Sequence, residues 1–481
     1  MRAARFHAVG VLILAGLTLP ASISGQARKP AATGPEARAI VGGTVVDGTG
    51  GPPLRDAMVL IRDGKIACVG ARGTCPLPAG AEVIDVTGLW LTPGLIDAHV
   101  HFSQTGWADG RPDALDLRER YPYEQVEAGL RYHPERFFAA DLCSGVTGVF
   151  DVGGYPWTWD LRKRAENDAW APHVAAAGPL LSTRDHWLNL PAERQFIYLA
   201  DEKAAREGVR YLAAFGTDAV KVWFIMEKDR PFEEMAAAVH AAGEEARRLK
   251  LPLIVHATGL KEAKEALRAG AHILVHSVID LPVDVEFLDL AKQNGTIYCP
   301  TLTVFGGYAR MFDAVLAGKA PFLDDPNHCV DAATRVRIAE AALVGADKVD
   351  KEKAEARRNA VASQEKVAAA NLKTVTDAGL TVAMGTDAGN PMTLHGPSVY
   401  AEMEAMQAAG MTPMQVLVAS TRNGAQAMGR LSDFGTIEKG KIADLLVLAA
   451  DPTAGAANFC KVRYVVRAGV VHPIAELRTM H

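Results

Sequence analysis

The stretch Leu91–Phe102, LTPGLIDAHVHF, decides how the rest of the chain is read. An apolar run from Gly94 leads directly into His99 and His101. In a strand, residues two apart face the same way, so both imidazoles can reach one ion. Imidazole suits zinc and related divalent metals. A lone His-x-His is weak evidence. The same arrangement recurs, however, at the ends of other short Val/Ile/Leu-rich runs. Lys221 lies in TDAVKVWF (217–224), His256 in LPLIVHATG (251–259), His276 in AHILVHS (271–277) and Asp387 in LTVAMGTDAG (380–389). Taken singly, each reads as a satisfied histidine, a surface lysine or a helix-capping aspartate. Together they ask for a common cause, and a metal centre is the simplest.

These runs alternate with helical patterns such as 232–249 and 261–269. With GVTGVFDVGG (145–154), HVAAAGPLL (173–181), GTIYCPTL (295–302) and the run at 94–99 they make eight strands. Alternating β and α units imply a parallel sheet. Eight such units fit a closed (β/α)8 TIM barrel better than an open sheet, and barrel enzymes build their sites at the C-terminal strand ends. The expected fold class is therefore α/β, with the barrel over residues 93–431 and a helical insertion over 306–379. Part of that insertion, 306–329, is a candidate lid. The dense charge of 348–358 reads as a solvated helix surface. Outside the barrel, residues 40–92 and 432–475 are short β runs with Gly turns. AMVLIRDGKIACVGA (57–71) carries a hairpin signal at Asp63-Gly64, and AEVIDVTGLWLTPG (81–94) reads as another strand pair. β segments at opposite chain ends can close one small sheet domain.

Composition sets bounds. The chain has 481 residues, 49% hydrophobic and 22% charged, with a formal charge of −5. That is a globular balance, not a disordered one. It lacks the basic character a phosphate-binding surface needs, so nucleic acid is not an expected partner. Residues 1–27 read as a secretory signal peptide. Arg2 and Arg5 precede an apolar run from Ala8 to Leu19, and Gly25 and Ala27 frame a cleavage site. The run is too short to span a bilayer, so no stable membrane insertion is expected. A periplasmic or secreted location follows. Six cysteines, at 68, 75, 143, 299, 329 and 460, form no C-x-x-C pair. In an exported chain Cys68 and Cys75 can bridge a short loop or remain two thiols, and the sequence leaves both open.

The motifs, in this order, resemble the metal-dependent amidohydrolase superfamily over about residues 40–470. LTPGLIDAHVHF looks like its first-strand signature, and VHATGLKEAKEALRAGAHILVHS (255–277) is similar to its fifth- and sixth-strand region. MGTDAG (384–389) and the segment at 419–452 resemble its ending. The subgroup it resembles is that of imidazolonepropionase-like and Xaa-Pro-dipeptidase-like hydrolases. The resemblance implies a barrel with a small β-sandwich domain made from both chain ends. It implies two zinc-like divalent ions, with His99, His101 and Asp387 at one and His256 and His276 at the other. Lys221 matches a lysine that some members carry as a bridging carbamate. The alternative is an unmodified Lys221 that binds an anion, since an ammonium cannot itself bind a cation.

The implied reaction is hydrolysis of a carbon–nitrogen bond, in an amide, cyclic amide or dipeptide, by metal-activated hydroxide. Asp387 would be the catalytic proton acceptor and donor. His186 in STRDHW and His395 in MTLHGPS are the substrate-binding candidates, with a loop or supporting histidine as the plainer reading of each. The expected partner is a small-molecule amide or peptide-like substrate, and a homo-oligomer is left open. Three departures matter. Arg184-Asp185-His186 stands where many members have Gly-Gly-His. No Tyr follows His276 in Ser277–Asp280, which counts against recognition of a C-terminal carboxylate. No acid follows His256 in Ala257–Gly259, which disfavours deamination. Rival readings are an ester, lactone or phosphotriester hydrolase, and a non-catalytic binding protein that keeps the barrel.

Overall fold

The computed structural model describes residues 37–186 and 188–479. The export signal expected over 1–27 lies outside the described residues. The described chain is a mixed α/β structure built around two parallel sheets. In the first, Leu95–Val100 pairs with Val146–Asp151, which pairs with His173–Ala176. The second runs Phe196–Tyr198, Leu180–Ser182, Val220–Trp223, Leu253–His256, Ile273–Val275, Ile297–Cys299 and Thr381–Val382, in that order. Parallel strands need crossover connections. Helices such as Glu135–Cys143, Thr158–Glu166, Phe232–Arg248, Leu260–Arg268 and Val285–Asn294 supply them. Two of these coincide with the helical patterns of the sequence. The strands read as continuous apolar runs because both faces are covered; Val220, Val222, Ile254, Val255, Leu274 and Val275 are all fully buried.

Backbone hydrogen bonds link the two sheets at two places. At one, Ala98 N donates to Met384 O (3.0 Å) and Asp387 N to His99 O (2.8 Å). At the other, Asp218 N donates to Ala176 O (3.2 Å). Gly385 permits the first approach. A Cβ there would fall 2.5 Å from Cys299 Sγ and 2.8 Å from His99 Cβ.

Both chain ends contribute to one further sheet, in which Trp90–Pro93 pairs antiparallel with Leu445–Leu448. A four-stranded sheet lies beside it in sequence, with Ala57–Arg62 and Lys65–Ala71 forming the expected hairpin. Asp63 and Gly64 both take the positive φ that a tight two-residue turn demands, at 52° and 73°. Residues 81–94 do not form the expected strand pair. Glu82–Asp85 joins Ala37–Val41 in parallel, whereas Trp90–Pro93 enters the other sheet. Asp85 accepts hydrogen bonds from Thr87 N and Oγ1 (2.8 and 2.6 Å), and Gly88 turns at φ 80°. That local turn carries the chain from one sheet to the other instead of back along the first.

The segment that follows Ile297–Cys299 is helical, with Val304–Ala317, Ala332–Ala339 and Lys351–Asp377. Its own apolar cluster joins Val304, Met311 and Ile338 to Trp107, Leu115 and Tyr121. A disulfide from Cys143 to Cys329 pins it to the end of Glu135–Cys143, and a second joins Cys68 to Cys75.

Candidate metal centre

The polar residues singled out at strand ends converge. His99 sits near the end of Leu95–Val100, His256 ends Leu253–His256, and His276 and Asp387 follow Ile273–Val275 and Thr381–Val382. They line one cavity of about 190 Å³ together with His101, Lys221 and His186. His101 Nε2 and His99 Nε2 lie 3.0 and 3.2 Å from Asp387 Oδ1, and His276 Nδ1 lies 4.0 Å from Asp387 Oδ2. The rings of His99 and His276 are 5.0 Å apart, and those of His256 and His276 4.3 Å. His276 and Asp387 both have left-handed backbone, with φ 71° and 64°. Such conformations are costly outside glycine and persist where the surroundings impose them.

Some of these groups have hydrogen-bond partners and others do not. His101 Nδ1 meets Gly153 O at 2.6 Å, and His276 Nδ1 meets Thr301 Oγ1 at 2.7 Å. The first contact leaves Nε2 of His101 facing Asp387. Both nitrogens of His99 and Oδ1 of Asp387 are buried without any hydrogen-bond partner, despite the short separations. Buried polar atoms are rarely left so, and leaving them so is costly. Ligand atoms of His99, His276 and Asp387 all lie within 4.8 Å of one another, close enough to belong to one metal centre. A divalent ion therefore fits the residues present.

Electrostatics agree. Burial, then the neighbouring Lys221, push His99 down to about 3, so its imidazole is neutral. Burial also holds His256 and His276 well below the usual histidine value. Neutral imidazole is the form that binds metals. Burial alone would raise Asp387, but His99 and His101 outweigh it and keep it ionised. Lys221 is 1% exposed, and burial lowers it to about 8.

Not every candidate reaches the cavity. His186 does, stacked on Phe196 at 4.6 Å, with Asp113 3.8 Å from its Nε2. His395 lies behind His101 instead. It is stacked between Phe102 (5.2 Å) and Phe137 (4.2 Å), with Nε2 3.2 Å from His101 O. Sequence reasoning passed over several supporting groups. Buried Asp97 accepts from Thr386 Oγ1 (2.5 Å), Thr386 N (3.0 Å) and His99 N (3.1 Å), tying the His99 strand to the Asp387 loop. Its place two residues before His99, on the same strand face, was the available signal. Asn390 Nδ2 donates to Asp387 O (3.1 Å), and Tyr308 and Arg111 of the cavity wall both donate to Asn390 Oδ1.

Residues 90–472 match the model of the amidohydrolase family. The chain belongs to that family. Hydrolysis of carbon–nitrogen bonds is its activity class, and the family implies a divalent metal. Among relatives of this amidohydrolase, an imidazolonepropionase of Ralstonia nicotianae is 26% identical over 426 residues, covering 85% of this chain and 90% of the relative. An ochratoxinase of Aspergillus niger is 25% identical over 455 residues, covering 86% and 81%. Among solved structures, a Xaa-Pro dipeptidase with bound methionine in its active site is similar, with a TM-score of 0.67 at 21% identity over 91% of this chain and 100% of that one.

Proposed function

We propose that this amidohydrolase is an exported enzyme that cleaves a small amide or dipeptide at a binuclear, zinc-type centre. The reading is carried by one observation: buried, unpartnered His99 and Asp387 atoms stand in ligand range of His276 inside a cavity. His99, His101 and Asp387 would hold one ion, and His256 and His276 the other. Lys221 would bridge them as a carbamate, formed when its neutral amine adds to carbon dioxide with loss of one proton. No ion pair among the described residues holds Lys221, and its burial disfavours a permanent ammonium.

A divalent ion in such a site lowers the pKa of water and polarises a carbonyl. Asp387 is placed to take the proton of the attacking water and deliver it to the departing nitrogen. Asp97 and Thr386 fix the loop that carries Asp387. Gly153 O, which can only accept, fixes the tautomer of His101, and Thr301 Oγ1 orients the His276 ring. Phe196, Trp223 and Leu188 form the apolar wall that excludes bulk water from the amide.

The same reading takes the two parallel sheets as arcs of one eight-stranded barrel. The hydrogen bonds of Ala98 and Asp387 at one seam and Asp218 at the other support it. It takes the terminal sheets as a β-sandwich over residues 40–92 and 432–475, because Ile40, Val59 and Ile61 share an apolar cluster with Leu91, Leu445 and Val447. Export is supported by the pattern of residues 1–27 and by two disulfides, which persist in oxidising compartments. N-terminal sequencing of native protein should begin near Arg28.

The decisive test is metal analysis joined to a hydrolysis screen on N-acyl amino acids, dipeptides and lactams. Cleavage of a carbon–nitrogen bond with about two zinc ions per chain is the expected result. Turnover confined to esters, lactones or phosphotriesters would overturn the assignment.

A further inference from the structure

The charged stretch of the insertion reads in sequence as a solvated surface, and most of it is. Lys351, Glu352, Lys353, Glu355 and Arg358 are exposed. Arg357 is turned the other way. It is half-buried and lines the same cavity as His99, His256 and Asp387. Its guanidinium lies 4.5 Å from the centre of the Tyr308 ring. Tyr308 Oη donates to Asn390 Oδ1 (2.6 Å), and Asn390 reaches the Asp387 carbonyl. Arg357 is thus fixed to the wall two side chains away from the candidate metal centre.

The charge balance of that wall is uneven. Arg111 lies over the same Tyr308 ring, 5.5 Å from its centre. It is neutralised by Asp113 through two hydrogen bonds, Nε to Oδ1 (2.8 Å) and Nη2 to Oδ2 (2.7 Å). That fork occupies both Asp113 oxygens. Among the described residues no carboxylate lies within ion-pairing distance of Arg357, whose burial lowers it against a weaker pull from Tyr308 and Asp113. On this wall two guanidiniums share one carboxylate, so Arg357 is left without a counter-charge beside it. A guanidinium removed from water and stacked on an aromatic ring keeps its forked donors for a planar anion. Leu188, Phe196, Trp223 and Phe305 add apolar surface to the lining, beside the side-chain amides of Gln104 and Gln195.

We propose that Arg357 anchors a carboxylate carried by the substrate. The substrate class is then small amides with a free carboxylate and an apolar body, N-acyl amino acids and dipeptides, in preference to neutral amides and lactams. The Ser277–Asp280 run, which counted against carboxylate recognition, is not needed for it, because the anchor comes from the insertion. This inference rests on the carbon–nitrogen hydrolase reading for the reaction but not for the binding.

The test uses the metal-loaded full chain and the N-acetyl derivatives of leucine, methionine and phenylalanine, each as free acid and as primary amide. Calorimetry reads binding and amine release reads turnover. The acids should bind more tightly than their amides. Arg357→Gln should weaken acid binding and raise its KM by about 10- to 100-fold, the worth of a hydrogen-bonded charge, with kcat and amide binding little changed. Arg357→Lys should recover part of the loss. Arg358→Gln, one residue along and paired with Asp313 on the outer surface, should change neither. Equal binding of acid and amide, equal weakening of both by Arg357→Gln, or no binding by any of the six would overturn the anchor. Arg357-dependent acid binding without cleavage would leave the anchor standing and sink the hydrolase reading. Cleavage that ignores both the carboxylate and Arg357 would do the reverse.

Discussion

Buried histidines stand at opposite ends of the parallel strands and differ in everything but burial. His173 is the first residue of His173–Ala176, whereas His256 is the last of Leu253–His256 and His99 lies near the end of Leu95–Val100. His173 is saturated: Nδ1 meets Glu166 Oε2 and Nε2 meets Asp444 Oδ2, both at 2.8 Å. Burial alone would lower it, but the two carboxylates outweigh that and raise it, while Asp444 is correspondingly lowered. His99 makes no hydrogen bond at either nitrogen, with Asp387 Oδ1 3.2 Å from its Nε2, and is pushed down to about 3. Burial therefore does not mark a site. What marks it is a place where the chain has buried polar atoms and left their partners out. His173 fastens the C-terminal β segment to the parallel sheets; the others are the residues proposed to hold the metal.

That contrast should break first at Asp387. Asp387→Asn removes the carboxylate next to His99 and His101. Turnover should fall by about 10²–10⁴, the worth of a positioned general acid–base group. Metal analysis should find one ion largely retained on the His256 and His276 side. Two ions and near-normal turnover in this variant would remove Asp387 from the chemistry.

The opposite change probes the saturated set. His173→Gln leaves Asp444 buried beside Arg467 but without its main partner. Loss of one member of a buried pair costs about 3–5 kcal/mol. Chemical denaturation should show that loss while kcat and metal content stay unchanged. The sign of the pH dependence is fixed by the two shifts. His173 is raised in the fold, so its contribution is complete below its unfolded value of about 6.5 and fades as pH rises through its folded value. Asp444 is lowered, so its contribution is complete above its unfolded value of about 3.9 and fades as pH falls through its folded value. The wild-type advantage over His173→Gln should therefore peak between these unfolded values and shrink on both sides. A difference independent of pH would mean that the pair is not ionised.

Lys221→Ala tests whether the open set is one centre or two. With the bridging oxygens gone, both ions should be lost in part and the rate should fall by about 10²–10³, in line with several kcal/mol of metal stabilisation. A small carboxylic acid at high concentration should restore part of both. Lys221→Arg should not respond, because guanidinium stays cationic. Two ions per chain in Lys221→Ala would leave the lysine a positioning role.

The same distinction explains what the sequence made legible. His99, His101, His256, His276, Lys221 and Asp387 stood out because each interrupts an apolar run at its end, and the structure gathers them around one cavity. The helices were readable from their period for the same reason. Arg357 was not readable, because the charges around it belong to an exposed face and nothing local says which one turns inward. Asp97 was hidden inside LTPGLIDAHVHF by the histidines that follow it. The Cys143–Cys329 bridge joins residues 186 apart, a separation that no local pattern encodes. His173 looked like one more strand residue, and its partners Glu166 and Asp444 come from a preceding helix and the far end of the chain.

The finest test of the comparison lies in a single hydroxyl. Thr301 Oγ1 is 2.7 Å from His276 Nδ1, and it is the contact that makes His276 half like His173, with one nitrogen satisfied and one open. Thr301→Val keeps the branched shape at a position whose φ is 44°, so it adds no new backbone strain. It removes the hydrogen bond that holds the orientation of the ring. Metal affinity at the His276 side should fall by about 10- to 100-fold, the usual worth of a partner that orients a ligating histidine. Thr301→Ser restores the hydroxyl and should recover most of that loss. Competition with a chelator reads the affinity directly, without a substrate. Equal affinities in the valine and serine variants would show that backbone packing alone orients His276. The division between saturated and open histidines would then lie between residues, not within a single ring.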